Sequence, residues 1–231
     1  MTDPQRAVLF LRVPAIAPER EAAYEKWYDE VHIPYRMDKP HFLGAQRYEV
    51  LAGRQRYFVF YELESIEALA SEPYLALRKW EAAQPPDSFE GPGSSRPGFE
   101  RGVYEQVAGP QWPTIAVDAP VAYVAGHDPV DEDAFAAWHD DVHAPTIARV
   151  PGVLGMRRFV LTKRDLGPQS GLRTERPRCM AVYYLESERA AGDAAFLREL
   201  DAARAAERNP VGAPYVIVGK RVYVSRARSA T

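Results

Sequence analysis

Two short segments gather the side chains best able to move protons: Trp27-Tyr28-Asp29-Glu30-Val31-His32-Ile33-Pro34 and Trp138-His139-Asp140-Asp141-Val142-His143-Ala144-Pro145. Imidazole titrates nearest neutrality, so His32, His139 and His143 are the candidate general acids or bases. Asp29 and Asp140 precede His32 and His143 by three residues, which places them on the same helical side. A carboxylate there could orient the imidazole. The competing reading is structural: each histidine, just ahead of a proline at a helix C-terminus, bonds local backbone. Both readings stand at this stage. His139 and His143, at i and i+4, could offer two metal ligands. No third ligand is evident, and Asp140 is a short substitute for the Glu of a zinc-protease motif, so no metal is expected.

Other positions could bind rather than react. Tyr28 and His139 occupy equivalent places and differ, as do His41 and Gly152, and such differences could make one half of the molecule the active one. His127 has no histidine counterpart in the first half. Arg47 and Arg158 begin matching strands and could anchor a carboxylate or phenolate, or pair with an acid at the sheet edge. Tyr35 belongs to a tyrosine-rich set, with 13 tyrosines in the chain, that would supply core and the wall of a site for a flat phenolic ligand. The segment from Gln84 to Gly98 reads as a lid carrying Phe89, Arg96 or Phe99, or as a surface insertion. Gly-rich phosphate loops, Gly-x-Ser-x-Gly elbows and cysteine pairs do not occur, which argues against nucleotide cofactors and covalent serine chemistry.

The elements that must position these residues come from a repeat. His32 and His143 are 143 − 32 = 111 residues apart, and this offset also superposes Tyr24 on Phe135, Pro40 on Pro151, Gly44 on Gly155, Arg47 on Arg158 and Tyr48 on Phe159. Residues 1–107 and 120–231 are therefore expected as two repeats, with 108–119 as a Pro-containing linker. Tyr24, Trp27, Tyr28 and Val31 mark one helical face, and Pro34 is expected to stop that helix. Strands are expected at Ala7–Val13, Leu43–Leu51, Arg56–Leu63 and Arg101–Val107, with a second helix from Ser65 to about Trp80 and a break near Pro73. The second copy follows, with strands at Val121–Ala125, Leu154–Thr162, Met180–Leu185 and Tyr215–Val224, Asp131 as N-cap and a helix over Ser187–Arg208. Cys179 is expected in a buried strand. A β-α-β-β-α-β succession is the ferredoxin-like pattern. The strand Tyr57-Phe58-Val59-Phe60-Tyr61 is apolar on both sides, so both sheet faces need cover. Two antiparallel sheets facing each other, with helices outside, would supply it: an α+β fold.

Composition narrows the class further. Hydrophobic residues make up 46% of 231, enough for a real core, and the net charge of −3 is spread along the chain. A dedicated nucleic-acid or anionic-membrane surface is not expected. One cysteine, and no apolar run long enough for a span or signal segment, suggest a cytoplasmic protein.

The Trp-Tyr-Asp-Glu-Val-His-Ile-Pro segment, followed by Pro-x-x-Leu-Gly-x-x-Arg-Tyr, resembles the dimeric α+β barrel superfamily, particularly its EthD-like branch. The resemblance covers residues 7–107 and 120–225 and implies a single-chain version of a barrel usually built from two subunits. Members include muconolactone isomerases, polyketide cyclases, cofactor-independent monooxygenases, haem-binding dismutases and proteins without known activity. The reading preferred on this basis is a cofactor-free lyase or isomerase acting on a small aromatic or lactone-like compound. A histidine in the barrel cavity would shuttle the proton, and Arg or Tyr would steady the developing oxyanion. Haem held by one histidine, a cofactor-independent monooxygenase on a phenol, and a non-catalytic binding protein are the alternatives. The partners implied are a small aromatic or phenolic molecule and, for a homodimer, a second copy of the chain.

Overall fold

The computed structural model describes residues 6–52, 54–91, 98–107, 118–164, 177–208 and 215–226. These fall into two compact units. The first holds the described residues up to Glu105 together with 162–164 and 222–226; the second holds those of 106–161 and 177–221. The linker expected at 108–119 lies almost wholly outside the described residues.

The first unit runs β1 (Ala7–Pro14), α1 (Pro18–Trp27), a π-helical turn (Tyr28–His32), α2 (Ile33–Met37), β2 (Phe42–Val50), β3 (Gln55–Leu63), a 3₁₀ turn (Ile66–Ala70), α3 (Glu72–Ala82) and β4 (Glu100–Gln106). Its antiparallel strands lie in the order β4-β1-β3-β2. The second unit runs β5 (Val121–His127), α4 (Glu132–Trp138), a π-helical turn (His139–His143), α5 (Ala144–Ile147), β6 (Val153–Leu161), β7 (Cys179–Leu185), a 3₁₀ turn (Ala190–Gly192), α6 (Ala194–Ala206) and β8 (Tyr215–Arg226), of which the residues from Val222 on are counted in the first unit. Its order, β8-β5-β7-β6, is the same permutation.

Alternation along each strand sorts side chains to two faces. In β1 and β3 the odd-numbered residues, Leu9, Leu11, Val13, Tyr57, Val59 and Tyr61, pack with Tyr24, Tyr28, Ile33 and Tyr74 of the helices. In β5 and β7 Val121, Tyr123, Ala125, Ala181, Tyr183 and Leu185 pack with Ala144, Ile147 and Phe196. Even-numbered residues form the opposite face, where Phe10, Tyr48, Phe58 and Phe60 stack on one another. A register shift between Phe42 and Gly44, repeated between Val153 and Gly155, resets parity in β2 and β6.

The two prolines do not stop their helices. Ile33 N–H bonds to Tyr28 O and Ala144 N–H to His139 O, each a five-residue step. The widened turn lets the chain pass into α2 and α5 with Pro34 and Pro145 in their first turns, where a missing N–H is harmless. His32 and His143 therefore sit inside a helical path rather than at its C-terminus. The second helix of the first unit likewise divides into the 3₁₀ turn and α3, with Pro73 in the first turn of α3. Asp131 caps α4 as expected, accepting from Ala134 N–H at 2.9 Å.

Candidate functional site

The π-turns hand their carboxylates to the sheet. Asp29 accepts two bonds from Arg47, at 3.1 and 2.8 Å, and Asp140 accepts one from Arg158 at 2.7 Å. These matched pairs tie each π-turn to β2 or β6. Asp29 and Asp140, expected to orient His32 and His143, thus bond Arg47 and Arg158, one of the two pairings expected for those arginines. A guanidinium fork aligned on a carboxylate is the stronger pairing, and the parity reset in β2 and β6 turns both arginines toward the helices.

His32 is half-buried, with Nδ1 3.2 Å from Arg36 Nη1 and its ring against Trp27 and Tyr28. Arg36 in turn bonds Glu81 at 2.7 Å in a buried ion pair. His143 is fully enclosed and bonds the Tyr183 hydroxyl through Nε2 at 2.9 Å. Trp138 stacks on it at 5.3 Å, and His139 contacts it at 4.9 Å. His139, also fully enclosed, has Nδ1 3.8 Å from Asp140.

Burial disfavours the charged imidazole and holds His139 down at about 4 and His143 at about 3; at His139 the nearby Asp140 opposes this and Arg158 adds to it. Both rings are neutral at physiological pH. Burial also holds the Tyr183 phenol protonated, well above its usual range.

The helix-facing strand pairs of the two units differ in how their bulk is distributed. In the first, the helix-facing pairs of β1 and β3 are Ala7–Leu63, Leu9–Tyr61, Leu11–Val59 and Val13–Tyr57. In the second, the pairs of β5 and β7 are Val121–Leu185, Tyr123–Tyr183, Ala125–Ala181 and His127–Cys179. The first two pairs gain bulk, with Val121 in the place of Ala7 and Tyr123 in the place of Leu9. The third shrinks from Leu–Val to Ala–Ala, and the fourth exchanges Val13–Tyr57 for His127–Cys179. Above them Tyr28 is replaced by His139 and Ile33 by Ala144.

This placement corrects the expectation of a histidine in the barrel cavity between the sheets. Alternation along β7 puts Tyr183, and with it His143, on the helix-facing side. His41 is also corrected: it is exposed, bonds Glu64 at 2.6 Å and holds a positive φ of 68°. Gly152 holds the same left-handed turn at φ 86°, so the His41–Gly152 difference falls at a matched turn. Tyr35 is 46% exposed with its ring against Trp80, outside the packed layer. Phe89 packs on Tyr24 and Trp27 of α1, Phe99 packs on the first unit's core, and Arg96 lies outside the described residues. Among the described residues no three His, Cys, Asp or Glu side chains are grouped to hold a metal ion, and no helix is long and apolar enough to cross a membrane.

Sequence reasoning gave His127 little weight and missed Tyr183 and Glu207. The signal available was the strand alternation, which sets His127, Cys179 and Tyr183 on one face.

No protein-family model matches the chain, and no curated protein matches its sequence. Solved structures do. An anthrone oxidase-like protein is 15% identical, with 98% of this chain and 94% of that one covered at a TM-score of 0.61. A candidate monooxygenase from Fusobacterium nucleatum subsp. nucleatum is 7% identical, with 98% and 96% covered at 0.60. A variant of chlorite dismutase from Candidatus Nitrospira defluvii is 11% identical, with 95% and 92% covered at 0.52. At these identities the likeness shows the fold alone, and the fold is that of the dimeric α+β barrels.

Proposed function

We propose that the chain is an enzyme whose active centre is the helix-facing layer of the second unit. There it oxidises a flat phenolic carbon acid of the anthrone type with molecular oxygen and without a cofactor. The observation that carries this reading is the replacement of the Leu11–Val59 pair by Ala125–Ala181 on the helix-facing side of the sheet, the side that also holds neutral His139 and His143. The smaller pair favours an aromatic ligand at that level of the layer, and a neutral imidazole can accept a proton where an imidazolium cannot. One imidazole of the layer takes the proton from the activated carbon, and the Tyr183 hydroxyl, which now bonds His143, donates to the developing enolate oxygen. Oxygen then adds to the carbanion. The resulting hydroperoxide loses water, so one CH₂ and one O₂ become one C=O and one H₂O.

Three features support this choice over the lyase or isomerase expected from sequence: the enclosed apolar layer, the aromatic character of its walls, and the likeness to an anthrone oxidase-like protein. A lyase or isomerase would use the same base and return the proton to substrate without consuming oxygen. The matched element order and paired π-turns support descent of the two halves from one duplicated EthD-like unit.

Haem, the alternative that the resemblance carries, needs an axial nitrogen free to bind iron. His143 does not fit it, because its Nε2 is committed to Tyr183 and its ring is enclosed.

Oxygen uptake with anthrone is the test. The purified protein is expected to consume one O₂ per anthrone. The A125L/A181V double variant, which restores the bulk of the first unit, is expected to fold and to lose activity at least about tenfold, the scale of about 1.4 kcal/mol in a barrier. No uptake by the unaltered protein, or full activity in the filled variant, refutes the proposal. A Soret band in the purified protein would redirect it to haem chemistry.

A further inference from the structure

His127 ends β5 on the helix-facing side, across from Cys179 and with its ring 5.1 Å from Phe135 of α4. It is buried, and its Nδ1 lies 2.9 Å from Glu207 Oε1. Glu207 is fully buried just beyond the end of α6 and is itself held: its Oε2 accepts from Asp128 N–H at 3.0 Å, and Arg204 Nη1 lies 3.1 Å from each oxygen. These bonds keep Glu207 ionised, with its pKa below the usual carboxylate value despite burial. A carboxylate at Nδ1 fixes the tautomer with the proton on Nδ1, which turns the lone pair of Nε2 outward. Nε2 is buried and has no hydrogen-bond partner among the described residues. An orphaned buried acceptor costs about 1–3 kcal/mol unless something donates to it. Phe135 lies 5.1 Å from the His127 ring and 5.8 Å from the His139 ring, so His127 belongs to the same layer.

We infer that the His127–Glu207 pair is the general base of this layer, receiving at Nε2 the proton of a substrate phenol or of the carbon acid conjugated with it. The inference rests on the proposed active centre and sharpens it by choosing among three imidazoles. In the step, the substrate O–H or C–H bond breaks, an N–H bond forms at Nε2, and the electron pair stays on the substrate as phenolate or enolate. Glu207 stabilises the imidazolium by a charge-assisted bond. The carboxylates near the other two histidines stand farther off, Asp140 at 3.8 Å from His139 and Glu199 at 3.9 Å from His143. In the first unit, Val13 occupies the place of His127, opposite Tyr57 as His127 is opposite Cys179, so the base exists in one unit only.

The probe is 1,8-dihydroxyanthraquinone, a flat phenol that changes colour on ionisation and cannot undergo the oxidation. Binding is read by tryptophan fluorescence, and ionisation of the bound probe by absorbance across pH. The unaltered protein is expected to lower the apparent phenol pKa of the bound probe by at least one unit. H127Q and E207Q are expected to bind it and lose that shift, whereas H41Q, outside the layer, keeps it. In the unaltered protein, ¹⁵N NMR should show the His127 Nε2 resonance moving from the unprotonated toward the protonated position as probe is added, a readout that needs no variant to fold. Binding with the shift retained in H127Q and E207Q, or an unmoved Nε2 resonance, overturns the inference and leaves the active-centre proposal intact. Absence of binding to the unaltered protein overturns the inference as well. Absence of oxygen uptake with the probe results intact removes the oxidase reading alone.

Discussion

Lowering the pH from about 7.5 to about 5 should destabilise this protein through two enclosed imidazoles, and the size of the effect follows from their surroundings. His139 and His143 are held at about 4 and about 3 by burial, against about 6.5 in an unfolded chain. Both folded values lie below the unfolded one, so the unfolded chain binds more protons as pH falls. The stability that the neutral rings contribute is fully present above pH 6.5 and is lost as pH drops toward about 4 and about 3. At about pH 5 each histidine forfeits about 2 kcal/mol, so the pair together forfeits about 4 kcal/mol. Urea denaturation of the unaltered protein and of H139Y at both pH values measures this. H139Y installs the residue that the first unit carries at Tyr28 and removes one titrating ring, so its loss between the two pH values should be about half as large. The other titrating groups are common to both proteins and cancel in the difference. Equal losses in the two proteins would show that His139 is not held neutral by burial.

Other perturbations have equally definite outcomes. Glu81→Gln should cost about 3 kcal/mol or more in urea denaturation, because it leaves the buried Arg36 and its neighbour Arg78 without their shared carboxylate. Gly152→Ala should destabilise by more than about 1 kcal/mol, since φ is +86° and the new Cβ would lie 2.8 Å from Ala190 Cβ. His41→Gly, at the matching left-handed position, should be neutral or stabilising in the same assay. Asp131→Ala should lower stability by about 1 kcal/mol through loss of the α4 cap, with no change in oxygen uptake if the active centre is placed correctly.

Much of the secondary structure was legible because its causes are local. The 111-residue offset, the helical spacing of Tyr24, Trp27 and Tyr28, and the apolar strand around Phe58 each depend on neighbours in the chain. So did Asp131 as a cap. Pro34 and Pro145 were misread because an α-helical frame was assumed, and one widened turn accommodates a ring that an α-helix would reject. Arg47 and Arg158 could not be assigned a face, since a register shift at Gly44 and Gly155 resets the alternation that sequence parity relies on.

The site itself divides along the same line. Residue types and spacing determined that His139 and His143 share a helical face and that the two halves diverge there. Only the tertiary structure decided that Asp29 and Asp140 serve arginines, that Tyr183 meets His143 from β7, and that Glu207 reaches His127 across 80 residues of chain. Hydrogen bonds of that range depend on which strand faces which helix. The change from Leu11–Val59 to Ala125–Ala181 becomes visible only when strand register pairs residues that are 48 and 56 positions apart (59 − 11 and 181 − 125).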